Sequence, residues 1–433
     1  MFNKIYFGAA IAALLVHSFN ATAASDTDLQ TLRDQVQLLE QRVNQQSNST
    51  PVAATGAISE GAFNPAISLI LSGTYGQLQQ AEASATGFAM SPNNSGYSQG
   101  FSLKESELGI SANIDPQFRG VGTFSLDPAG GISVENGFVQ TSALGNGLNL
   151  KFGRYFSGLG YLNEQHTHAW DFVDQPLVYR VLWDNQIGED GLQLKWLAPT
   201  DMFVEVGGEV GRGRGFPGTD RQNKNGSGAG VLFAHIGDDI GIEHSWRAGA
   251  SLHQTHAVDR VSTAVPDFHN GFVTNSFSGD SQTTGLDFVW KYSPNGNTAN
   301  RYVKLQGEYF RRKETGDLTY NTAGTNITDS FDVTQSGWYL QSVAQFMPHW
   351  HAGLRYDQLD SGTATVGAMN LANVISNYGY TPKRTSLMVD YNPSEFTRVR
   401  VQLAQDESRQ GLADKQFFVQ YIMSLGAHGA HQY

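Results

Sequence analysis

The stretch NEQHTHAWDF, residues 163–172, groups four side chains that are common metal ligands. His166 and His168 are two residues apart, and Glu164 and Asp171 flank them. In an extended segment, side chains two residues apart point to the same side. Imidazole and carboxylate groups are the donors that zinc-like ions use where thiolates are absent. The stretch therefore indicates either a weak metal site, with both histidines, one carboxylate and a water, or a solvated polar loop.

A second candidate metal pair, His253 and His256, lies in the sequence HQTH. The chain contains no cysteine, so disulfides and thiolate ligands are excluded. The HExxH pattern of zinc proteases and the phosphate-binding P-loop pattern are also absent. These observations favour a protein that is not an enzyme and has no resident cofactor, with weak transition-metal binding left open.

The first 24 residues predict a cleaved secretory signal peptide. Lys4 precedes a short apolar run at 5–16, and the small residues of Ala21–Ala24 follow it. The run is shorter than the roughly 20 residues that a membrane-spanning helix needs. The mature chain is therefore expected to begin near Ser25, outside the cytoplasm.

Residues 25–47 predict a short coiled coil. Apolar residues recur every three and four positions along a narrow seam, at Leu29, Leu32, Val36, Leu39 and Val43. About three heptads are marginally stable alone in water, so the helix needs partners, and other copies of the chain are the simplest ones. Packing on its own domain is the alternative. Residues 48–65 then have the composition of a linker.

From Ala66 to the C-terminus the sequence alternates between apolar and polar residues, as in TRVRVQL at 397–403. This pattern is typical of an antiparallel transmembrane β-barrel, an all-β fold; a soluble β-rich protein is the other class that composition allows. We predict sixteen strands, beginning near residues 66, 100, 118, 132, 147, 188, 201, 228, 244, 281, 300, 335, 349, 383, 395 and 416. Short turns alternate with long polar connectors, which are 81–99, 157–187, 212–228, 257–280, 313–334 and 360–382.

The side chains predicted to point into the barrel carry charges of both signs. They are Glu107, Lys195, Glu205, Glu209, Lys304, Glu308, Arg355, Asp357, Arg398 and Arg400. The formal net charge of the chain is −12. A mixed lumen in an acidic protein predicts weak ion selectivity, and it does not suggest nucleic-acid binding.

The segment LKFGRYFSGLGYL and the later WDFVDQPLV resemble the phosphate-selective porin family of bacterial outer membranes. The matching residues are Gly153, Tyr155, Gly158, Phe172, Asp174, Pro176, Leu177 and Val178. The resemblance implies a homotrimer of sixteen-stranded barrels in the outer membrane of a Gram-negative bacterium. It also implies that the loop after the fifth strand, 157–187, folds into the pore as a constriction. We then expect the constriction to be lined by Tyr161, Glu164, His166, His168 and Asp171.

The function expected from these features is passive diffusion of small hydrophilic solutes or ions through a barrel that contacts outer-membrane lipid, with the coil in the periplasm. Two alternatives remain open. One is a channel for a zinc-like transition metal or a metal chelate, which would use the histidine-containing loops. The other is an outer-membrane protein with a structural or adhesive role and no transport.

Overall fold

The structure is a computed structural model that describes residues 65–80, 84–91, 96–103, 106–126, 130–142, 144–219, 225–266 and 272–426. The predicted signal peptide, the predicted coiled coil and all but the last residue of the predicted linker lie outside these ranges. The β-barrel belongs to one compact unit, Phe63–Tyr433. In the described part of the chain, no helix has both the length and the apolar character needed to cross a membrane.

Sixteen antiparallel strands form a closed barrel, as the alternation predicted. β2 is in two pieces, and a two-residue bridge at Thr365–Val366 lies outside the count. The strands are β1 Ala66–Gln77, β2 Gly100–Leu103 and Ser106–Asn113, β3 Phe118–Leu126, β4 Ile132–Thr141, β5 Leu148–Phe156, β6 Gly188–Leu197, β7 Phe203–Gly211, β8 Ala229–Ile240, β9 His244–Pro266, β10 Phe272–Tyr292, β11 Tyr302–Tyr320, β12 Ile327–Met347, β13 Trp350–Asp360, β14 Lys383–Ser394, β15 Thr397–Arg409 and β16 Leu412–Gly426. The last strand pairs with the first, with Ser68 opposite Gly426, which closes the sheet.

Each strand has an apolar outer face and a more polar inner face. In β15, Val401 and Leu403 are exposed on the outside, whereas Arg400 and Gln402, which alternate with them, are fully buried. This alternation follows from the period of two in a β-strand. It gives the barrel the outward apolar surface of a membrane-embedded protein.

The prediction of a long connector is wrong for two stretches. Residues 257–280 and 313–334 mostly extend strands instead of forming loops, so that β9 to β12 are 19 to 23 residues long. Both stretches are rich in polar residues, and the expectation rested on apolar alternation. A strand that pairs with neighbours on both sides has its backbone hydrogen bonds satisfied without an apolar face, so polarity alone did not mark these residues as loops.

The loop at 157–187 lies inside the barrel. It contains one turn of 3-10 helix, Thr167–Ala169, and a short α-helix, α1, Leu177–Trp183, in which every residue is buried. Gly160, with a φ of 71°, allows a turn near the start of the loop. Pro176 stands directly before α1, where a missing backbone N–H costs nothing.

Candidate functional site

The start of the loop is fastened by two carboxylates on distant strands. The Gly158 N–H donates to Glu209 Oε1 on β7 at 2.8 Å. Four strands further along the sheet, Glu308 on β11 accepts hydrogen bonds from the backbone N–H groups of Tyr161 and Leu162 at 2.6 and 2.9 Å, and from the Tyr179 hydroxyl. One segment can touch such separated strands only from within the closed barrel.

Asp174 is the centre of the second attachment. Its carboxylate forms buried ion pairs with Arg355 on β13 at 2.9 Å and with Arg384 on β14, and it accepts a hydrogen bond from the Gln402 amide at 3.0 Å. Burial alone would raise the pKa of Asp174, but the two guanidinium groups hold it well below its usual range. Asp174 is therefore ionised and links the loop to three strands.

The same wall holds the ends of the helical segments. The backbone N–H of Leu177 donates to Asp357 at 2.9 Å, which gives the first turn of α1 an acceptor. Arg400 donates to the Trp170 carbonyl oxygen at 2.8 Å, and Arg398 donates to the same oxygen at 3.1 Å.

Two lysines pair with acidic residues of the loop. Lys195 on β6 lies 2.9 Å from Glu164, and Lys304 on β11 lies 2.5 Å from Asp171. Burial would raise the pKa of Glu164, but its attraction to Lys195 and Lys151 lowers this pKa to about 2. Both acidic residues that were candidate ligands for His166 and His168 are thus engaged elsewhere.

The charges predicted to point inward are therefore mostly loop contacts. Nine of them touch loop residues, namely Glu107, Lys195, Glu209, Lys304, Glu308, Arg355, Asp357, Arg398 and Arg400. Glu205 instead accepts a hydrogen bond from His235 at 3.1 Å and lies 3.8 Å from Lys195. Because opposite charges neutralise each other here, few remain to attract a solute ion of one sign.

His166 and His168 meet two glutamates from the wall. Glu107 bridges the two rings, with Oε2 3.2 Å from His166 Nδ1 and Oε1 3.0 Å from His168 Nδ1. Glu135 Oε2 lies 2.9 Å from the same His166 nitrogen. Burial would lower the pKa of His166, but the hydrogen bonds to Glu107 and Glu135 raise it to about 10. The structure thus brings both histidines to one carboxylate, and the His166 ring is protonated at neutral pH.

The other constriction candidate, Tyr161, is buried, and its ring lies 5.3 Å from the Arg247 guanidinium. His253 and His256 do not meet. They are three residues apart on β9 and so occupy opposite faces: His253 is buried, whereas His256 is half exposed and contacts Asp280 at 2.7 Å. The odd spacing in HQTH rules out a shared metal ion in a regular strand.

Glu135, Asn136 and Arg384 contact the loop from the barrel wall and were missing from the sequence-based candidates. Asp174 was noted only for its place in a motif, and its position between Pro176 and an aromatic residue gave no hint of its two arginine partners. Glu135 and Asn136 lie at a β-bulge, where two residues of β4 stand opposite one of β3. A strict alternation of two cannot detect such a bulge.

The pattern GxSxG, typical of hydrolase nucleophile elbows, occurs once, in GYSQG at Gly96–Gly100. Its Ser98 is exposed in the connector between β1 and β2. A nucleophile elbow requires a sharp turn from a strand into a helix. The connector leads into strand β2 instead, so the match carries no catalytic meaning.

The chain is similar to proteins of known structure, although no family model matches it. A relative from Aquifex aeolicus (strain VF5), described as an uncharacterized protein, is 29% identical over 411 residues, which cover 87% of this chain and 81% of the relative. OmpT in its trimer form, an outer membrane protein of Vibrio cholerae, superposes with a TM-score of 0.50 at 13% identity, covering 84% of this chain and all of that one. An anion-selective porin from Comamonas acidovorans gives a TM-score of 0.51 at 14% identity with the same coverage.

These similarities define the class of fold. At such low identity they concern the backbone arrangement alone, and that arrangement is the closed sixteen-stranded barrel of outer-membrane porins.

Proposed function

We propose that the protein is an outer-membrane porin through which small hydrophilic solutes or ions diffuse passively. The observation that carries this proposal is the loop at 157–187, which is tied to opposite walls of a closed barrel by buried charged side chains. A loop held in this way narrows the lumen at a fixed place. The apolar outer face, with Leu232 and Leu286 among its exposed residues, suits contact with lipid.

The constriction in this proposal is the edge of the loop that reaches water. His166 is about one quarter exposed and Glu164 about one third, whereas Asp174 and α1 are buried. The part from Glu164 to Thr167 is therefore the candidate rim of the passage, whereas His168 is buried. The part from Phe172 to Trp183 is the scaffold behind the rim.

The first prediction concerns conductance and selectivity. The purified protein in a planar bilayer should form stable open channels with only weak ion selectivity, because the charges around the loop pair with one another. Single-channel current and the reversal potential in a potassium chloride gradient measure both properties. A protein that never conducts would favour the structural or adhesive role, and a strong anion preference blocked by micromolar phosphate would contradict the weak selectivity.

The second prediction concerns assembly. We propose a homotrimer, as the OmpT structure in its trimer form suggests, clamped in the periplasm by the coil at 25–47. Replacing Leu32 and Leu39 with aspartate should lower the temperature at which the trimer dissociates on a gel, while the monomer keeps the mobility of a folded barrel. Aspartate at Gln35, outside the apolar seam, is the matched control. An unchanged dissociation temperature would remove the clamp from the proposal.

A further inference from the structure

The inner surface near β4 carries a cluster of carboxylate and imidazole atoms that could bind a metal ion. Among the described residues, Glu107, Glu135 and His166 each offer one ligand atom, and the three atoms lie within 4.8 Å of one another. His166 Nδ1 is 2.9 Å from Glu135 Oε2 and 3.2 Å from Glu107 Oε2. In a tetrahedral zinc site with bonds of about 2.0–2.2 Å, neighbouring ligand atoms are about 3.3–3.6 Å apart. The His166 ring nitrogen therefore needs to move away from each of the two carboxylate oxygens by only a few tenths of an ångström to admit an ion.

The bulge in β4 builds one side of this group. Thr123 of β3 stands opposite Asn136, and the next residue, Phe124, stands opposite Val134, so Glu135 is the extra residue. As a result, two consecutive side chains of β4, Glu135 and Asn136, both contact His166. In a regular strand one of them would point to lipid, so the bulge re-aims a carboxylate toward the imidazole.

Two neighbouring side chains, Asn136 and His168, are placed to orient the proposed ligands by hydrogen bonds. Asn136 lies 3.0 Å from Nε2 of His166, the ring nitrogen that faces away from the carboxylates. A half-turn of its amide brings Oδ1, which is buried and has no hydrogen-bond partner among the described residues, against the Nε2–H group. Metal-binding imidazoles usually donate their second N–H to such an oxygen. His168 contacts Glu107 Oε1 at 3.0 Å and so fixes the orientation of that carboxylate.

We propose that Glu107, Glu135 and His166 bind a divalent transition-metal ion such as Zn²⁺, with water in the remaining position. The ion takes the position between His166 Nδ1 and the carboxylate oxygens of Glu107 and Glu135 that face it. An imidazole ligand favours zinc-like ions over Mg²⁺ and Ca²⁺, which prefer oxygen donors alone. Because His166 is about one quarter exposed, the ion has a path from the solution inside the barrel. The proposal goes beyond passive diffusion, since this ion would stay bound at a defined site at the rim, whereas a solute passes through the barrel.

The test measures binding directly and does not depend on current. The full-length protein in detergent, stripped of metal with a chelator, is titrated with ZnCl₂ and separately with MgCl₂ in a calorimeter. We expect the parent to bind one zinc ion per chain. Glu135→Gln and His166→Gln should each weaken zinc binding by about tenfold or more. Asn136→Ala, which keeps all three ligands, should weaken it by about tenfold. Magnesium should not bind.

The matched control is His235→Gln, which removes a buried histidine that contacts a single carboxylate, Glu205. It should bind zinc as the parent does, and gel mobility before and after heating shows which variants are folded. If Glu135→Gln does not fold, Asn136→Ala carries the test by itself. The proposal is overturned if the parent takes up no zinc, if magnesium binds equally well, or if the folded variants at Glu135, His166 and Asn136 bind zinc like the parent.

Discussion

Replacing Asp174 with asparagine is expected to release the loop from the wall of the barrel and to raise single-channel conductance. The substitution leaves Arg355 and Arg384 buried without the carboxylate that both contact. Removing one partner of a buried ion pair costs about 3–5 kcal/mol. This cost falls on the folded arrangement in which α1 lies against β12 and β13, so the loop should leave that arrangement before the barrel itself unfolds.

Asp190→Asn is the matched control for this prediction. Asp190 also pairs with an arginine, Arg154 at 2.6 Å, but both side chains are about one quarter exposed. Such a pair contributes about 0–1 kcal/mol, so this variant should conduct like the parent. Conductance in planar bilayers and tryptophan fluorescence during guanidinium unfolding report on both variants, since Trp170 and Trp183 lie in the loop. Equal behaviour of the two variants would show that Asp174 does not hold the loop.

The second large effect is expected at Glu308. Changing it to alanine removes the acceptor for two backbone N–H groups, those of Tyr161 and Leu162, and for the Tyr179 hydroxyl. Each buried donor left without an acceptor costs about 1–3 kcal/mol. The first part of the loop should therefore open, and chymotrypsin should cut it after aromatic residues that are buried in the parent.

Limited proteolysis followed by mass spectrometry locates such cuts, with Glu205→Ala as the control. Glu205 is also an inward glutamate, but its partners are His235 and Lys195 on neighbouring strands. The control should stay as resistant to chymotrypsin as the parent. Resistance of both variants would mean that Glu308 is dispensable for the position of the loop.

The parts of the fold that were predictable from the sequence are those with a periodic pattern. A strand exposed to lipid on one face must alternate, which is why the starts of strands such as β6 and β15 were expected within a few residues of their positions. Beyond the membrane this constraint disappears, and the outer halves of β9 to β12 were therefore mistaken for loops. Periodicity reports the surroundings of a strand. In these outer halves the buried face mixes apolar side chains such as Phe277 with charged ones such as Arg260 and Glu314, so a simple alternation of apolar and polar residues is lost.

The candidate site was predictable in its residue types but not in its pairings. Lys304 and Glu308 were expected to point inward from alternation alone, and they do. Their partners depend on the path of a loop of 31 residues that has no repeat, so the pairing of Asp171 with Lys304 could not be inferred. The same holds for Glu135, which reaches His166 only because β4 contains one extra residue.

The unequal lengths of the strands give the barrel a lopsided entrance. A strand tilted across a bilayer needs about 9–11 residues, whereas β9 to β12 have 19 to 23 and most others have 8 to 15. The extra residues of β9 to β12 lie at the end of the barrel from which the loop 157–187 also departs. These four neighbouring strands therefore extend further than the others on one side of that end. If the protein is the porin proposed above, capture of a solute should therefore depend on the side from which the solute approaches the entrance.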